Sequence, residues 1–448
     1  MRSRAVRSGR ALGVALTLVA LAQGGRAEAI VLAEDPFEET STELALMIRS
    51  FSFVFASPIL RPPYNTEDAN PSGAGLADLR LTFAHQSKRW QLVAAGQLTP
   101  RVQSDGLGGR NIGRGVPPPR WLPLRGWITR RDHVQVLAGF DWLYLRTSLG
   151  PVTITAGRQP VSFGRGQLWH PTDMVSMFSL TEVDTEYKPG ADALRVDWQI
   201  AERSSLVLLA VAGELADGHD LGLSLAGSSF LARFKQGIGK AEVALMAGLS
   251  RRDVVVAVDG IVDLGFGDLY GEAVLNVPTS GSLTPNPDAR CAFTRLGVAC
   301  ADGSPPVVVR AVVGLRLKPT KTLTTSLELF YNGFGSFDRE DYLAVASSER
   351  VAIGEVVALG ALCGGASLLW ELHPLFKLSA ALLANLRDPS ALLFSGLVYS
   401  AAANVDLIAG VYLPIARVPD ISQAPLVMPR SEYGLYPTFF FLELKIAV

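Results

Sequence analysis

Along much of the chain, apolar and polar residues change places at every second position. In residues 194–200 the apolar set is Leu194, Val196, Trp198 and Ile200, and Arg195, Asp197 and Gln199 fall between them. Val307, Val309, Ala311, Val313, Leu315 and Leu317 share one face of a run whose other face carries Arg310 and Arg316. Leu323, Thr325, Leu327, Leu329 and Tyr331 oppose Thr324, Ser326 and Glu328, and Leu79, Leu81 and Phe83 oppose Asp78, Arg80 and Thr82. Side chains of a strand point alternately to opposite faces, so each run has one apolar side and one wet side. A soluble sandwich alternates in the same way with its apolar side inward. A membrane barrel turns that side outward, on strands of about 10 residues joined by alternating short and long connections.

The spacing predicts strands near residues 44–55, 76–84, 89–98, 133–148, 151–158, 190–200, 203–213, 228–236 and 240–250. The second half adds 251–259, 264–277, 307–317, 322–332, 364–372, 376–386, 391–400, 404–413 and 435–448. That is an all-β, transmembrane, antiparallel up-and-down barrel of about 18 strands, with 16 also allowed, because closed bacterial barrels take an even number. One continuous strand through 250 and 251 is the alternative at the least certain boundary. With both ends of the chain on one side, the long loops 56–75, 99–132, 159–189, 278–306, 333–363 and 414–434 fall together on the other side. Short connections near Gln86 to Lys88, Leu149 to Pro151, Ala201 to Glu202, Lys318 to Lys321 and His373 to Pro374 stay on the first.

The ends of the chain agree with that reading. Residues 1–29 read as a secretory signal peptide: Arg2, Arg4, Arg7 and Arg10 precede the apolar run Ala11 to Ala22, and Ala27-Glu28-Ala29 fits a small-x-small cleavage site. Residues 30–43 are an acidic lead-in or a small plug, and 44–448 are the barrel. The first 29 residues hold five Arg and one Glu, so removing them takes the formal charge from −1 to −5. A mildly acidic chain gives no case for nucleic-acid binding. Hydrophobic residues make up 48% of the sequence and mean hydropathy is +0.26, without any run after the leader near the ~20 residues of a membrane helix.

Three patches resemble bacterial outer-membrane channels of the alginate-export and porin-like type. One runs from Gly157-Arg158-Gln159 through Phe163-Gly164 to Trp169, Pro171 and Asp173. The second is Asn385-Leu386-Arg387-Asp388-Pro389-Ser390. The third is Ser431-Glu432-Tyr433-Gly434 with Pro437 and the run Phe439 to Lys445. The resemblance implies a barrel in the outer membrane of a Gram-negative bacterium. Its partners would be outer-membrane lipid, lipopolysaccharide and the barrel assembly machinery. The sequence departs from outer-membrane habit by ending in Val448 instead of an aromatic residue.

Candidate chemistry is sparse. Cys291 and Cys300 enclose a short loop and form a disulfide candidate in an oxidising compartment, and Cys363 is left as a small apolar residue at a strand start. The five His lie at no metal-ligand spacing, and the local pairs His170–Asp173 and His219–Asp220 sit in Gly- and Pro-rich loops. No catalytic residue, metal or cofactor is expected. The inward faces carry both signs, including Arg195 with Asp197 and the carboxylates Glu242, Glu272 and Glu328, which suits a water-filled pore. The loop 99–132 is basic, which suits anionic lipopolysaccharide and anionic solutes equally.

The loop after the fifth strand is the candidate constriction. It is long and carries Arg165, Asp173 and Glu182, and Gly164 and Gly166 would let it turn back into the barrel. Simple parity puts Arg158 on the lipid side, where a charge costs about 2–4 kcal/mol at mid-membrane and much less near the rim. A bulge at Gly157 would instead turn Arg158 inward, beside Arg165 and facing the loop's carboxylates. The expected function is diffusion of small polar solutes. Alternatives are a gated transporter for hydrophobic compounds, with residues 30–43 as a hatch, and a barrel enzyme or assembly scaffold.

Overall fold

The computed structural model describes residues 30–35, 39–57, 71–103, 118–131, 133–177, 187–214, 227–251, 253–278, 307–422 and 427–448. Its strands are β1 (Ile30–Asp35), β2 (Thr40–Ala56), β3 (Ser72–Gln86), β4 (Trp90–Gln103), β5 (Arg125–Arg130), β6 (Val134–Leu149), β7 (Val152–Pro160), β8 (Gly190–Ala201), β9 (Ser204–Val211) and β10 (Ser229–Ile238). The order continues with β11 (Ala241–Ser250), β12 (Asp253–Asp263), β13 (Gly267–Pro278), β14 (Val308–Leu317), β15 (Leu323–Asn332), β16 (Leu362–His373), β17 (Phe376–Asn385), β18 (Ser390–Ala402), β19 (Val405–Ile415) and β20 (Thr438–Ala447).

All strands but β1 and β5 close an antiparallel barrel of 18. Each of the 18 sequence-predicted runs is one barrel strand. The division at 250 and 251 is real: Arg251 turns the chain at φ 47°, and β11 and β12 pair from Ser250↔Asp253 onward. Closure joins β2 to β20 from Met47↔Ala447 to Ala56↔Thr438. Reciprocal backbone bonds between Leu46 and Val448, 2.7 and 2.8 Å, finish the seam. The end of the barrel where Leu46 meets Val448 is called inner below, and the end with long loops outer.

The alternation now has a physical meaning. Leu245, Val256, Val313, Leu327, Phe440 and Leu442 are exposed on the outside of the wall, where an apolar surface has lipid as its solvent. Trp90, Trp198, Trp370, Phe376 and Tyr399 are exposed at the inner ends of their strands, as a membrane-interface aromatic girdle requires. In the middle of β12 both faces are apolar. Val254, Val256 and Val258 face out, while Val255 and Ala257 are buried inside. Something apolar must therefore lie within the barrel against β12.

The segment expected to be a lead-in or small plug contains a strand and joins the edge of β2. Ile30–Asp35 is β1, paired with Thr40–Leu44 at the start of β2. It continues the lane of β20 past the last residue of the chain.

Candidate pore constriction

The site begins where the chain leaves the wall. β7 pairs with β6 from Leu149↔Val152 to Leu143↔Arg158, and with β8 as far as Pro160↔Gly190. After Pro160 the chain turns into the lumen. The vacated position on β6 does not stay open. β5 pairs with the same edge of β6 further out, from Arg125↔Gly139 to Arg130↔Gln135, and Phe140 N donates to the Leu124 carbonyl at 2.9 Å. A piece of the preceding outer loop thus takes over the lane that β7 abandons.

Arg158 stitches this junction. Its guanidinium donates Nε to Asp192 Oδ1 at 2.7 Å and Nη2 to Asp192 Oδ2 at 2.9 Å. It also donates to the Phe140 carbonyl of β6 at 3.1 Å and to the Leu122 carbonyl beside β5 at 2.5 Å. The second Asp192 oxygen takes the backbone N–H groups of Trp121 and Leu122 at 2.8 and 2.7 Å. The side chain of Arg158 is completely buried. A bulge at Gly157 was expected to turn it into the pore, and that expectation is corrected here. The ladders on both sides of Gly157 run without a register shift, so Arg158 keeps the outward parity of Ala156 and Leu194. Its charge is tolerated because Asp192 neutralises it and the 120–124 segment covers it.

Inside the barrel, the loop packs where β12 anticipated an apolar partner. Val161, Phe163, Met174 and Val175 form one buried cluster with inward side chains of β9 to β13, among them Leu209, Leu231, Met246 and Val255. Further on, Trp169 stacks on Phe330 of β15, centroids 5.4 Å apart and 14° from parallel. The loop therefore spans the inner wall from β7 to β15.

Two wall carboxylates clasp its backbone. Glu272 of β13 accepts from the N–H of Arg165, from Gly166 N at 2.7 Å, from Thr172 N at 3.0 Å and from Thr172 Oγ1 at 2.6 Å. Glu328 of β15 accepts from the N–H groups of Gln167, Leu168 and Trp169 at 2.5, 3.1 and 3.2 Å, and from the Tyr270 hydroxyl at 2.7 Å. Gly164 permits the approach: its φ is +102°, and a Cβ there would stand 2.7 Å from the Glu272 carboxylate. Backbone donors buried in a protein must find acceptors, and residues 161–172 contain no Asp or Glu of their own.

Arg165 points to the wall, pairing with Glu242 of β11 and with Asp259 of β12 at 3.3 Å. Arg233 of β10 shares Asp259 at 2.8 Å. Arg165 does meet carboxylates, but they belong to the wall and not to the loop. Asp173 is buried and pairs with Lys188, where the chain returns to β8. Arg195 and Asp197 pair with each other at 2.7 Å on the lumen face of β8. They lie towards its inner end, apart from the loop, so the structure joins Arg165 and Asp173 to one element and leaves this pair elsewhere. Glu182, Cys291 and Cys300 lie outside the described residues. Cys363 is buried at the start of β16.

Sequence reasoning placed Glu242, Glu272 and Glu328 on the wet face but missed their partners. The absence of carboxylates from 161–172 is the one signal that could have directed attention to the wall. It also missed that two of the resembling patches meet. Asn385 Nδ2 donates to Glu432 and to the Tyr342 hydroxyl, each at 2.7 Å, and Asp388 accepts from Glu432 N at 2.7 Å. Glu432 further accepts from Leu359 N and Gly360 N at 3.0 and 3.1 Å. This latch ties three outer loops together. Burial pushes the Glu432 carboxyl up to about 7, against the pull of its N–H donors.

No protein-family model matches the chain, and no curated protein sequence matches it. Solved structures do. OccAB1 of Acinetobacter baumannii superposes with a TM-score of 0.52 at 10% identity, over 95% of this chain and 99% of its own. A BenF-like porin from Pseudomonas fluorescens gives 0.53 at 10% identity, over 91% and 98%. OccK2 (OpdF) of Pseudomonas aeruginosa, solved in complex with glucuronate, gives 0.53 at 7% identity, over 91% and 98%. At these identities the likeness is one of fold: a closed, antiparallel barrel of 18 strands.

Proposed function

We propose that this chain is an outer-membrane channel of a Gram-negative bacterium that passes small polar solutes by diffusion, and that residues 161–175 narrow its pore. The observation that carries the reading is the inward loop, clasped by Glu272 and Glu328 across half of the inner wall. Seven backbone and hydroxyl donors of the loop end on these two carboxylates, which supports a fixed constriction over a loose cap. The polar character of the solute follows from the inner half of the lumen. There Arg195, Asp197, Lys235, Glu242, Asp268 and Arg316 remain partly exposed. The aromatic side chains of the inner wall, Phe51, Phe53, Phe439 and Phe441, are buried by their neighbours and do not form its surface. That favours polar solutes over hydrophobic ones, and diffusion over catalysis. Folding into the membrane would use the barrel assembly machinery. The glucuronate complex of OccK2 makes small anionic sugars a sensible first solute class to assay.

The test is single-channel recording in planar bilayers, on the parent and on a variant lacking residues 162–174. Discrete conductance steps are expected from the parent and larger steps from the deletion. A parent that never conducts overturns the channel reading. A well-folded deletion with unchanged steps overturns the constriction.

A further inference from the structure

The latch between the outer loops buries two carboxylates without a cation. Glu432 and Asp388 are each 1% exposed, and neither forms an ion pair with a Lys, Arg or His among the described residues. The titratable groups packed around Glu432 are Asp388 of the β17–β18 turn, Tyr342 of the short helix Tyr342–Ala346, Cys363 of β16, and Tyr433 and Tyr436 of its own segment. All five become negative when they lose a proton, so none can balance an ionised Glu432. Two arginines lie close by in the chain. Arg387 stands over the Phe337 ring, 5.7 Å from its centroid, and Arg417 offers Ser431 its carbonyl at 2.8 Å; neither guanidinium pairs with the latch. The donors Leu359 N, Gly360 N and Asn385 Nδ2 offset part of the cost of a buried charge, and burial outweighs them.

What the latch grips is the base of segment 336–360. Ser336 N donates to the Leu359 carbonyl and Ala361 N to the Ser336 carbonyl, both at 2.9 Å, which closes that base on itself. The fit against the latch is close: a Cβ at Gly360 would stand 2.9 Å from Glu432 Oε2. The far part of the segment has its own anchor, where Arg350 pairs with Asp253 of β12 at 2.8 Å and with Glu355 at 2.7 Å. Between the two, Ala358 joins the buried cluster that holds Trp169 of the constriction loop and Phe330 of β15. The segment therefore reaches inward onto the constriction, and its base is the part that Glu432 controls.

We propose that the latch is a proton-controlled clamp on the outer mouth: a proton on Glu432 keeps the base of segment 336–360 docked beside the constriction loop, and loss of that proton lets the base lift while the Arg350 anchor and the barrel stay in place. Lifting brings the ionised carboxylate to water and relieves its repulsion by Asp388. The clamp bears on passage only if the chain is a channel, but its test involves no conductance and so can fail independently of that reading.

Hydrogen exchange is followed by mass spectrometry on the full chain in detergent, as protection factors that remove the intrinsic pH dependence of exchange. With the Glu432 carboxyl at about 7 when docked and 4.5 when solvated, protection of residues 356–362 should fall about tenfold between pH 6 and pH 8.5, while that of β10 to β13 holds. Glu432→Gln keeps an acceptor oxygen for Leu359 N and Gly360 N and should abolish the fall. Asp388→Asn keeps one for Glu432 N and should shrink it. Glu371→Gln, at the inner rim, should behave as the parent. Heat-modified gel migration confirms that each variant is a folded barrel. Constant protection of 356–362 in the parent overturns the proposal, as does a parent-sized fall in both latch variants. An equal fall in β10 to β13 also overturns it, because the whole barrel would then be loosening.

Discussion

Replacing Glu272 with Ala should loosen the constriction without unfolding the barrel. The carboxylate accepts four hydrogen bonds, from Arg165 N, Gly166 N, Thr172 N and Thr172 Oγ1, and is itself buried. Each buried donor left without an acceptor costs about 1–3 kcal/mol. Water entering the space left by the side chain would satisfy some of them, so a net loss of roughly 2–4 kcal/mol in docking is expected. The Glu328 clasp and the Val161–Phe163 packing remain, so the loop should stay docked most of the time. At ~1.4 kcal/mol per tenfold, its undocked fraction should rise between about 30-fold and 1000-fold. In bilayers this would appear as open-channel flicker absent from the parent. In detergent, trypsin should cut after Arg165 faster by a similar factor. Glu371→Ala removes an exposed carboxylate near the inner rim and is the control. If Glu272→Ala matches the parent in both current noise and cleavage, the clasp does not hold the loop.

Arg158→Ala should leave ion selectivity unchanged, since the side chain lies outside the pore, yet lower unfolding stability by about 3–5 kcal/mol because Asp192 loses its charge partner; a selectivity shift without destabilisation would contradict this placement. Glu432 binds its proton more tightly folded, at about 7, than in an unstructured chain at 4.5. The folded state therefore holds more protons across that window, and stability should fall by roughly 3 kcal/mol as pH rises from 4.5 through 7, levelling off on either side. Thermal unfolding followed against pH measures it, and Glu432→Gln should flatten the slope. Deleting residues 442–448 removes the partners of Met47 to Ser52 and the Leu46–Val448 bonds, so membrane insertion should be lost; normal insertion of the truncated chain would refute the need for this strand.

The strands were legible because lipid exposes one face of each, and residues such as Val313 and Leu327 show the environment they occupy. Even β12, apolar on both faces in its middle, was found as a strand, though its inner Val255 and Ala257 gave no hint of what covers them. Arg158 was placed inward because a lone charge on an outward face looks untenable when only its neighbours in sequence are considered. Its partner Asp192 is 34 residues away, and its cover comes from residues 120–124, in the loop before β6. Glu272 and Glu328 were located but not understood. A carboxylate on a wet face has the same sequence pattern whether water or a row of amide hydrogens meets it. Pairing across the barrel is a property of the closed wall, and no local window contains it.

The exchange of lanes at β6 has a bearing on how such barrels can diverge. Because β7 ends early to supply the inward loop, a segment of the loop before β6 must reach across and stand in the gap. The two loops are thus one structural unit, although β6 and β7 separate them in sequence. Transplanting residues 161–177 alone into another barrel would leave β6 with a bare edge near Phe140, and transplanting 118–130 alone would set two segments competing for it. Chimeras that exchange solute passage between barrels of this kind should therefore assemble only when both loops travel together.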